Sequence, residues 1–415
     1  MATAGRGRGT ERGQLRRRVP AAVREDLRMT DQRPAPAGRF GAFLGSLIAA
    51  VWSAVALTVG RAFDFVEHWL FTGKKSLYGL AVTRIVFGCT ALGLLAANFG
   101  TRLYTFGSGS AWNGELAQPV SDFPKVWIFS AFHAVAGSDV AFTLLYLFLG
   151  ALAVLFLLGW RFRIVLPLFF VLWISFIEMN DMVGDQGDNM FRIALILMFF
   201  ADPAARWSLD ARRRAKQEWF PAGSSGNQIG TVLHNLALVA LTAQVTFVYA
   251  SGGLYKAQGA PWAEGYAVYN PLQTMRFGTW PILSDIVTAW GPAVAIGTWG
   301  SILLQVAFLL MLLSRPTRLF ALFGILSFHI AIGVLMGLPW FSLTMIAIDS
   351  IFIRDRSWKH LSDAVSRRWR QHMRGDAGSS TRKAGRSVAS DRAEPAESSE
   401  LPPQKRAGRK VAAPG

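Results

Sequence analysis

Eight stretches of this chain leave a membrane-crossing helix as their main solution, because the hydrocarbon core holds no water to satisfy open backbone and about 20 apolar residues of helix are needed to cross it. They are residues 77–99, 140–159, 164–176, 190–201, 232–250, 293–313, 319–338 and 340–353. The third, fourth and eighth are short, so they draw on flanking residues or on shielding by neighbours. The expected fold is an all-α polytopic integral membrane helical bundle of about eight transmembrane helices. Residues 41–60 are also nearly free of charge. They run through Trp52 into Arg61, Asp64, Glu67 and His68, which suits an N-terminal amphipathic helix lying in the interface over residues 41–75.

Charge sets the orientation. Residues 1–39 and 354–415 hold 25 of the 43 Lys and Arg and 11 of the 26 Asp and Glu, so +14 of the net +17 lies at the two ends. Basic segments are retained on the cytoplasmic side, which places both termini inside. Eight crossings then put Arg161 and Arg163, the group Arg206, Arg212, Arg213, Arg214 and Lys216, and the pair Arg315 and Arg318 on that same face. Counting residues 41–60 as a ninth crossing would move one end outside. Residues 1–40 and 354–415 are rich in Arg, Ala, Gly, Pro and Ser and read as disordered basic tails. Their expected partners are the anionic headgroups of the plasma membrane. A high isoelectric point raises the question of nucleic acid, but the body carries almost no net charge and the tails have no folded scaffold, so no nucleic-acid partner is expected. The single cysteine, Cys89, lies in the first crossing and excludes an intrachain disulfide framework. About forty polar residues precede the first apolar stretch, unlike a cleavable signal peptide; Met29, after a low-complexity run, is a candidate start.

Residues 41–353 show no internal repeat, which argues against an inverted-repeat transporter. Turn residues support the crossings: Gly159-Trp160, Asp202-Pro203, Ser314-Arg315-Pro316 and Gly337-Leu338-Pro339 each fall where a span should end or begin. The expected outer connections are residues 100–139 with Trp112, Trp127 and His133, residues 178–189 with Glu178, Asp181, Asp185 and Asp188, residues 251–292, and the Pro339 turn. The third carries Lys256, Trp262, Glu264 and Tyr266, so groups suited to chemistry gather on one face.

Lys256 stands just past an apolar span, after Gly252-Gly253 and Tyr255. A cation there either snorkels to the headgroups or is held for chemistry. Desolvation disfavours an ammonium, so a partly buried lysine is able to act as a base. The glycine pair would let another helix approach, and Trp262 and Tyr266 would anchor the loop at the interface. His329 lies inside a span, where a histidine either bonds a neighbouring helix or serves function. Arg84 sits near the inner end of its span and reads as a snorkelling cation. Arg192 follows Asp188 at i+4, so a local pair is expected. The acidic loop 178–188 does not match the calcium-loop spacing and reads as solvated, and no zinc, haem or nucleotide fingerprint is present.

Five segments together resemble a known family. Residues 80–88 (LAVTRIVFG), 158–163 (LGWRFR), 201–210 (ADPAARWSLD), 253–256 (GLYK) with 262–266 (WAEGY), and 327–329 (SFH) are similar, in that order, to the membrane part of vitamin K-dependent gamma-carboxylases and their bacterial relatives, the HTTM (horizontally transferred transmembrane) proteins. The resemblance covers residues 76–353. It implies that Lys256 stands where the carboxylases keep the lysine regarded as the base that deprotonates vitamin K hydroquinone, whose anion then reacts with oxygen. Asp188-Asn189-Met190 replaces the histidine that the family has at the start of the fourth span. A basic stretch follows Ile353 where carboxylases have a large lumenal region, so a quinol-oxidising reaction is expected rather than glutamate carboxylation.

The resulting expectation is an outward-facing cavity for a reduced quinone of the menaquinone or vitamin K type. Lys256 is its base, His329 and Glu264 its orienting groups, and Trp262, Tyr266 and Tyr255 its lining. The alternative is a non-catalytic membrane protein that binds a lipid or a peptide partner in export or maturation.

Overall fold

A computed structural model describes residues 36–109, 122–180, 183–215 and 224–390. Among them there are helices and turns and no strand. Every one of the eight predicted apolar stretches forms a helix: α2 (Leu77–Asn98), α3 (Asp139–Leu158), α4 (Phe162–Ile177), α5 (Gln186–Met198), α7 (Ser225–Ala257), α8 (Gly291–Met311), α9 (Arg315–Leu335) and α10 (Pro339–Asp349). Before them runs α1 (Pro36–Phe71), between α5 and α7 lies the short α6 (Leu209–Arg214), and after them comes α11 (Asp355–Ser390).

Among the described residues six helices are long and apolar enough to cross a membrane, and their identity differs from the expected set. They are α2, α3, α7, α8, α9 and, unexpectedly, the segment Phe43–Phe71 of α1. The expected interfacial helix over 41–75 thus has the length and apolarity of a crossing, because its charged residues gather at one end and leave a long apolar run. Helices α4 and α10 are apolar but shorter, and α5 has only 13 residues. The expected disordered tail after residue 353 also begins differently, since residues 355–390 are helical. Both tails' remaining residues, 1–35 and 391–415, lie outside the described residues, as do Trp112, Asp181 and Lys216.

The chain forms two compact units, Met1–Trp69 and Leu70–Gly415. In the second, eight helices close a ring: α2 packs on α3, α3 on α4, α4 on α5, α5 on α7, α7 on α8, α8 on α9, α9 on α10, and α10 back on α2, with α5 also touching α10 across the interior. The interior is dominated by aromatic rings such as Phe87, Phe169, Trp173 and Phe191, stacked or tilted against one another. Lipid on the outside is as apolar as leucine, so packing and polar contacts between helices carry the specificity.

One end of the ring is locked by polar groups. Carboxylates cap two helix starts, where free N–H groups and the helix dipole favour negative charge: Asp355 accepts from the Leu77 and Tyr78 amides at 3.1 and 2.9 Å, and Asp210 from those of Arg161 and Phe162 at 2.9 and 2.8 Å. Arg84 is fully buried and does not snorkel. Its guanidinium donates to the Phe156 and Leu157 carbonyls in the last turn of α3 and to those of Pro203 and Trp207. Carbonyls at a helix C-terminus have no partner within the helix, so a buried arginine there satisfies them and the dipole together. Gly159, with φ of 61°, ends α3 in the left-handed conformation that lets the chain turn back.

Asp202 completes the lock. Lys74 and Arg214 each reach its carboxylate at 3.0 Å, and its amide donates to His234 Nδ1 at 3.0 Å. Burial alone would raise the Asp202 pKa, but Lys74 and Arg214 outweigh it and hold the group at about 2.

Candidate functional site

Helix α7 connects the two ends. His234 stands in the lock, and Lys256 lies in the last turn, roughly 33 Å away at 1.5 Å per residue, about the thickness of a bilayer core. Lys256 is half-buried rather than extended into solvent. Its ammonium donates to Gln305 Oε1 of α8 at 2.9 Å. It also sits over two ring faces, Trp262 at 5.1 Å and Phe328 at 5.2 Å from the centroids, where the ring quadrupole attracts a cation.

Gly253 makes this arrangement possible. A Cβ there would stand 2.7 Å from Val306 Cγ2 and 3.3 Å from Gln305 Cβ, so only glycine admits α8 this closely one turn before Lys256. The neighbouring Gly252 faces open space. Trp262 is held in turn by its own carbonyl, which accepts from Trp299 Nε1 at 3.1 Å.

Below the amine, His329 is buried and follows Phe328 on α9. Its Nε2 lies 3.0 Å from the Tyr249 hydroxyl, and that hydroxyl donates to Asp349 Oδ2 on α10 at 2.7 Å. A phenol has one proton. With that proton directed at Asp349 Oδ2, the hydroxyl accepts from the histidine, which fixes the imidazole proton on Nε2 and leaves Nδ1 as an acceptor. Neither His329 Nδ1 nor Asp349 Oδ1 has a hydrogen-bond partner among the described residues. Three helices thus meet in one buried polar chain, walled by Phe308, Phe328 and Phe341. Lys256 lies within electrostatic reach of the His329 ring.

The structure brings Lys256, Trp262 and His329 into this one region and leaves the other predicted residues outside it. Glu264 is exposed and makes no side-chain hydrogen bond or ion pair with a described residue, so it does not orient Lys256. Tyr255 is 80% exposed, on a different face of α7 from Lys256, and Tyr266 is 43% exposed. Sequence reasoning missed Gln305, Tyr249 and Asp349. A lone acid inside an apolar span is a signal in itself, and Asp349 carried it; Gln305 and Tyr249 gave none.

The acidic loop does other work. Arg192 pairs with Glu178 at 2.7 Å and donates to Asn189 Oδ1 at 2.9 Å, in place of the expected i+4 pair with Asp188. Asp185 and Asp188 form a capping box at the start of α5. Burial raises the Asp185 pKa, partly offset by the Gly187 and Asp188 amides. Among the described residues no group of three or more His, Cys, Asp or Glu side chains is placed to hold a metal ion.

Comparison with known proteins decides the wider relationship. Residues 74–358 match the HTTM domain, which takes in α2 through the start of α11. The chain belongs to the HTTM family. As an HTTM protein with several bilayer-length helices it is a multi-pass membrane protein. It is also 25% identical over 214 residues to the uncharacterized protein YitO of Bacillus subtilis (strain 168), a match covering 49% of this chain and 64% of YitO, so the chain spans less than two thirds of that relative. No solved structure matches. Helix α1 lies outside the HTTM match, in keeping with its separate unit. Within the HTTM region the resemblance segments divide by end: Arg84, Gly159, Asp202 and Asp210 build the lock, while Lys256, Trp262 and His329 build the site.

Proposed function

We propose that this HTTM protein spans the plasma membrane with the lock on the cytoplasmic side and acts at the opposite, outer end on a reduced quinone of the menaquinone or vitamin K type. The single observation that carries this reading is the placement of Lys256: an amine fixed by Gln305, flanked by two aromatic faces and half withdrawn from water at the end of a bilayer-length helix. Basic residues at the lock end support the orientation, since Lys74, Arg161, Arg163 and Arg206 all lie there. The ring faces of Trp262 and Phe328 suit a planar lipid headgroup, and the bilayer accepts an isoprenoid tail. A quinol supplies an acidic hydroxyl at this position. Unprotonated, the Lys256 amine accepts that proton, with Gln305 holding Nζ in register. His329, Tyr249 and Asp349 lie behind it and fix the floor of the site.

Binding tests the reading directly. Purified protein in lipid nanodiscs should retain reduced menaquinone in preference to an equal load of a neutral diacylglycerol, and Trp262→Ala and Lys256→Ala should each weaken that retention about tenfold or more. Equal retention of both lipids, with neither variant changing it, would instead support a peptide- or partner-binding role.

A further inference from the structure

The lock end carries a feature that neither the fold nor the proposed chemistry uses. A cleft of ≈ 510 Å³ opens there, lined by Arg161, Arg163, Arg213 and Arg214 with Phe162 and Ile164. Four arginines face two carboxylates, and both carboxylates are engaged. Asp202 is shared by Lys74 and Arg214, while Asp210 caps the start of α4 and pairs with Arg213 at 3.1 Å. Arg161 and Arg163 have no ion-pair partner among the described residues. The Arg163 guanidinium is nevertheless fixed, because it donates to the Phe199 and Ala201 carbonyls. Neutral carbonyls orient a cation without cancelling its charge.

The apolar surroundings set the depth. Arg161 lies over the ring of Trp160, 5.4 Å from its centroid, and Trp160 is itself exposed. An exposed tryptophan beside arginine marks the headgroup level of a bilayer. Ile164, on the cleft wall and one turn into α4, is 57% exposed and continues the surface toward the hydrocarbon. A fixed arginine with a second, exposed one beside it, above an apolar wall at the edge of a membrane, is complementary to an amphiphile with an anionic head.

We propose that this cleft is a binding site for the phosphate of an anionic phospholipid headgroup, with Arg161 and Arg163 as its ligands and Ile164 against the acyl chain. Native mass spectrometry of the full chain in mild detergent tests it, with phosphatidylglycerol, phosphatidylcholine and inorganic phosphate as separate probes. Phosphatidylglycerol should remain bound where phosphatidylcholine is lost, and the double variant Arg161→Gln, Arg163→Gln should weaken phosphatidylglycerol roughly tenfold or more, at about a few-fold to tenfold per arginine near the surface. If the double variant unfolds, Arg161→Gln alone replaces it, because that side chain makes no hydrogen bond to a described residue, and a loss of a few-fold is then expected. Arg161→Lys should restore most of the affinity. Equal retention of the two phospholipids, or phosphatidylglycerol binding untouched by the variants, as binding at the basic tails would give, overturns the site. Displacement of phosphatidylglycerol by low-millimolar inorganic phosphate would assign the cleft to the free ion and overturn the lipid.

Discussion

Adding one methyl group to Gly253 should disturb both the packing of the bundle and the position of Lys256. The new Cβ would lie 2.7 Å from Val306 Cγ2, and ordinary van der Waals contact begins at 3.4 Å. Valine is stiff in a helix, so α7 and α8 must part by roughly 0.7 Å or distort, at a cost of about 1–3 kcal/mol. The same displacement stretches the 2.9 Å bond from Lys256 to Gln305 toward roughly 3.6 Å, which is no longer a hydrogen bond. Gly252→Ala is the matched control, since nothing lies within 4 Å of a Cβ there. Alanine is favoured over glycine in a helix by up to about 1 kcal/mol, and that gain is common to both variants and cancels in the comparison. Denaturant or thermal unfolding of the purified proteins should therefore place Gly253→Ala about 1–3 kcal/mol below Gly252→Ala, with retention of reduced menaquinone reduced in the first alone. Equal stability and equal retention in the two variants would refute the close helix approach and the role given to it.

Arg84→Met should cost at least about 3 kcal/mol in unfolding experiments, because four backbone carbonyls lose a charged donor in a buried place. Tyr249→Phe should cost about 2–4 kcal/mol by leaving His329 Nε2 and Asp349 Oδ2 together without a partner; a double-mutant cycle with Asp349→Leu should show strong coupling, and additive losses would contradict the chain. Asp202, held at about 2 against its ordinary 3.8, contributes about 2 kcal/mol that is present in full above pH ~4 and lost as the pH falls through the folded value. Unfolding measured from pH 5 to pH 2 should show that loss in the native chain and its absence in Asp202→Asn.

Much of the fold was legible because the signals are local. The apolar stretches, the glycine after Leu158, Ser314 before Arg315 and the turn at Gly337 before Pro339 each mark a helix end that the structure repeats. Charge misled at α1, where an apolar run that is long enough to cross looked interfacial because charged residues follow it so closely. The site was half legible. Lys256, Trp262 and His329 stood out by residue type and position, but their partners come from helices distant in sequence: Gln305 from α8, Tyr249 from α7 and Asp349 from α10. Arg84 shows the same limit from the other side. A cation near a helix end suggests snorkelling, and only the fold brings two other chain segments, residues 156–157 and 203–207, over it to supply the carbonyls. Arg192 chose Glu178 across a loop over Asp188 one turn away, because Asp188 was already engaged as a helix cap.

The central claim is that Lys256 takes a proton from a quinol-type lipid at the end of α7. Its most direct test is turnover of reduced menaquinone in air by protein in nanodiscs, with the lipid products quantified by mass spectrometry and each variant checked for folding. The native chain should form oxidised or epoxidised product above the rate of empty nanodiscs, Gln305→Leu should form less, and both Lys256→Ala and Lys256→Arg should fall to background, since arginine keeps the charge but does not give up its proton. Product formation that survives Lys256→Ala, or a folded native chain that forms none, would contradict it.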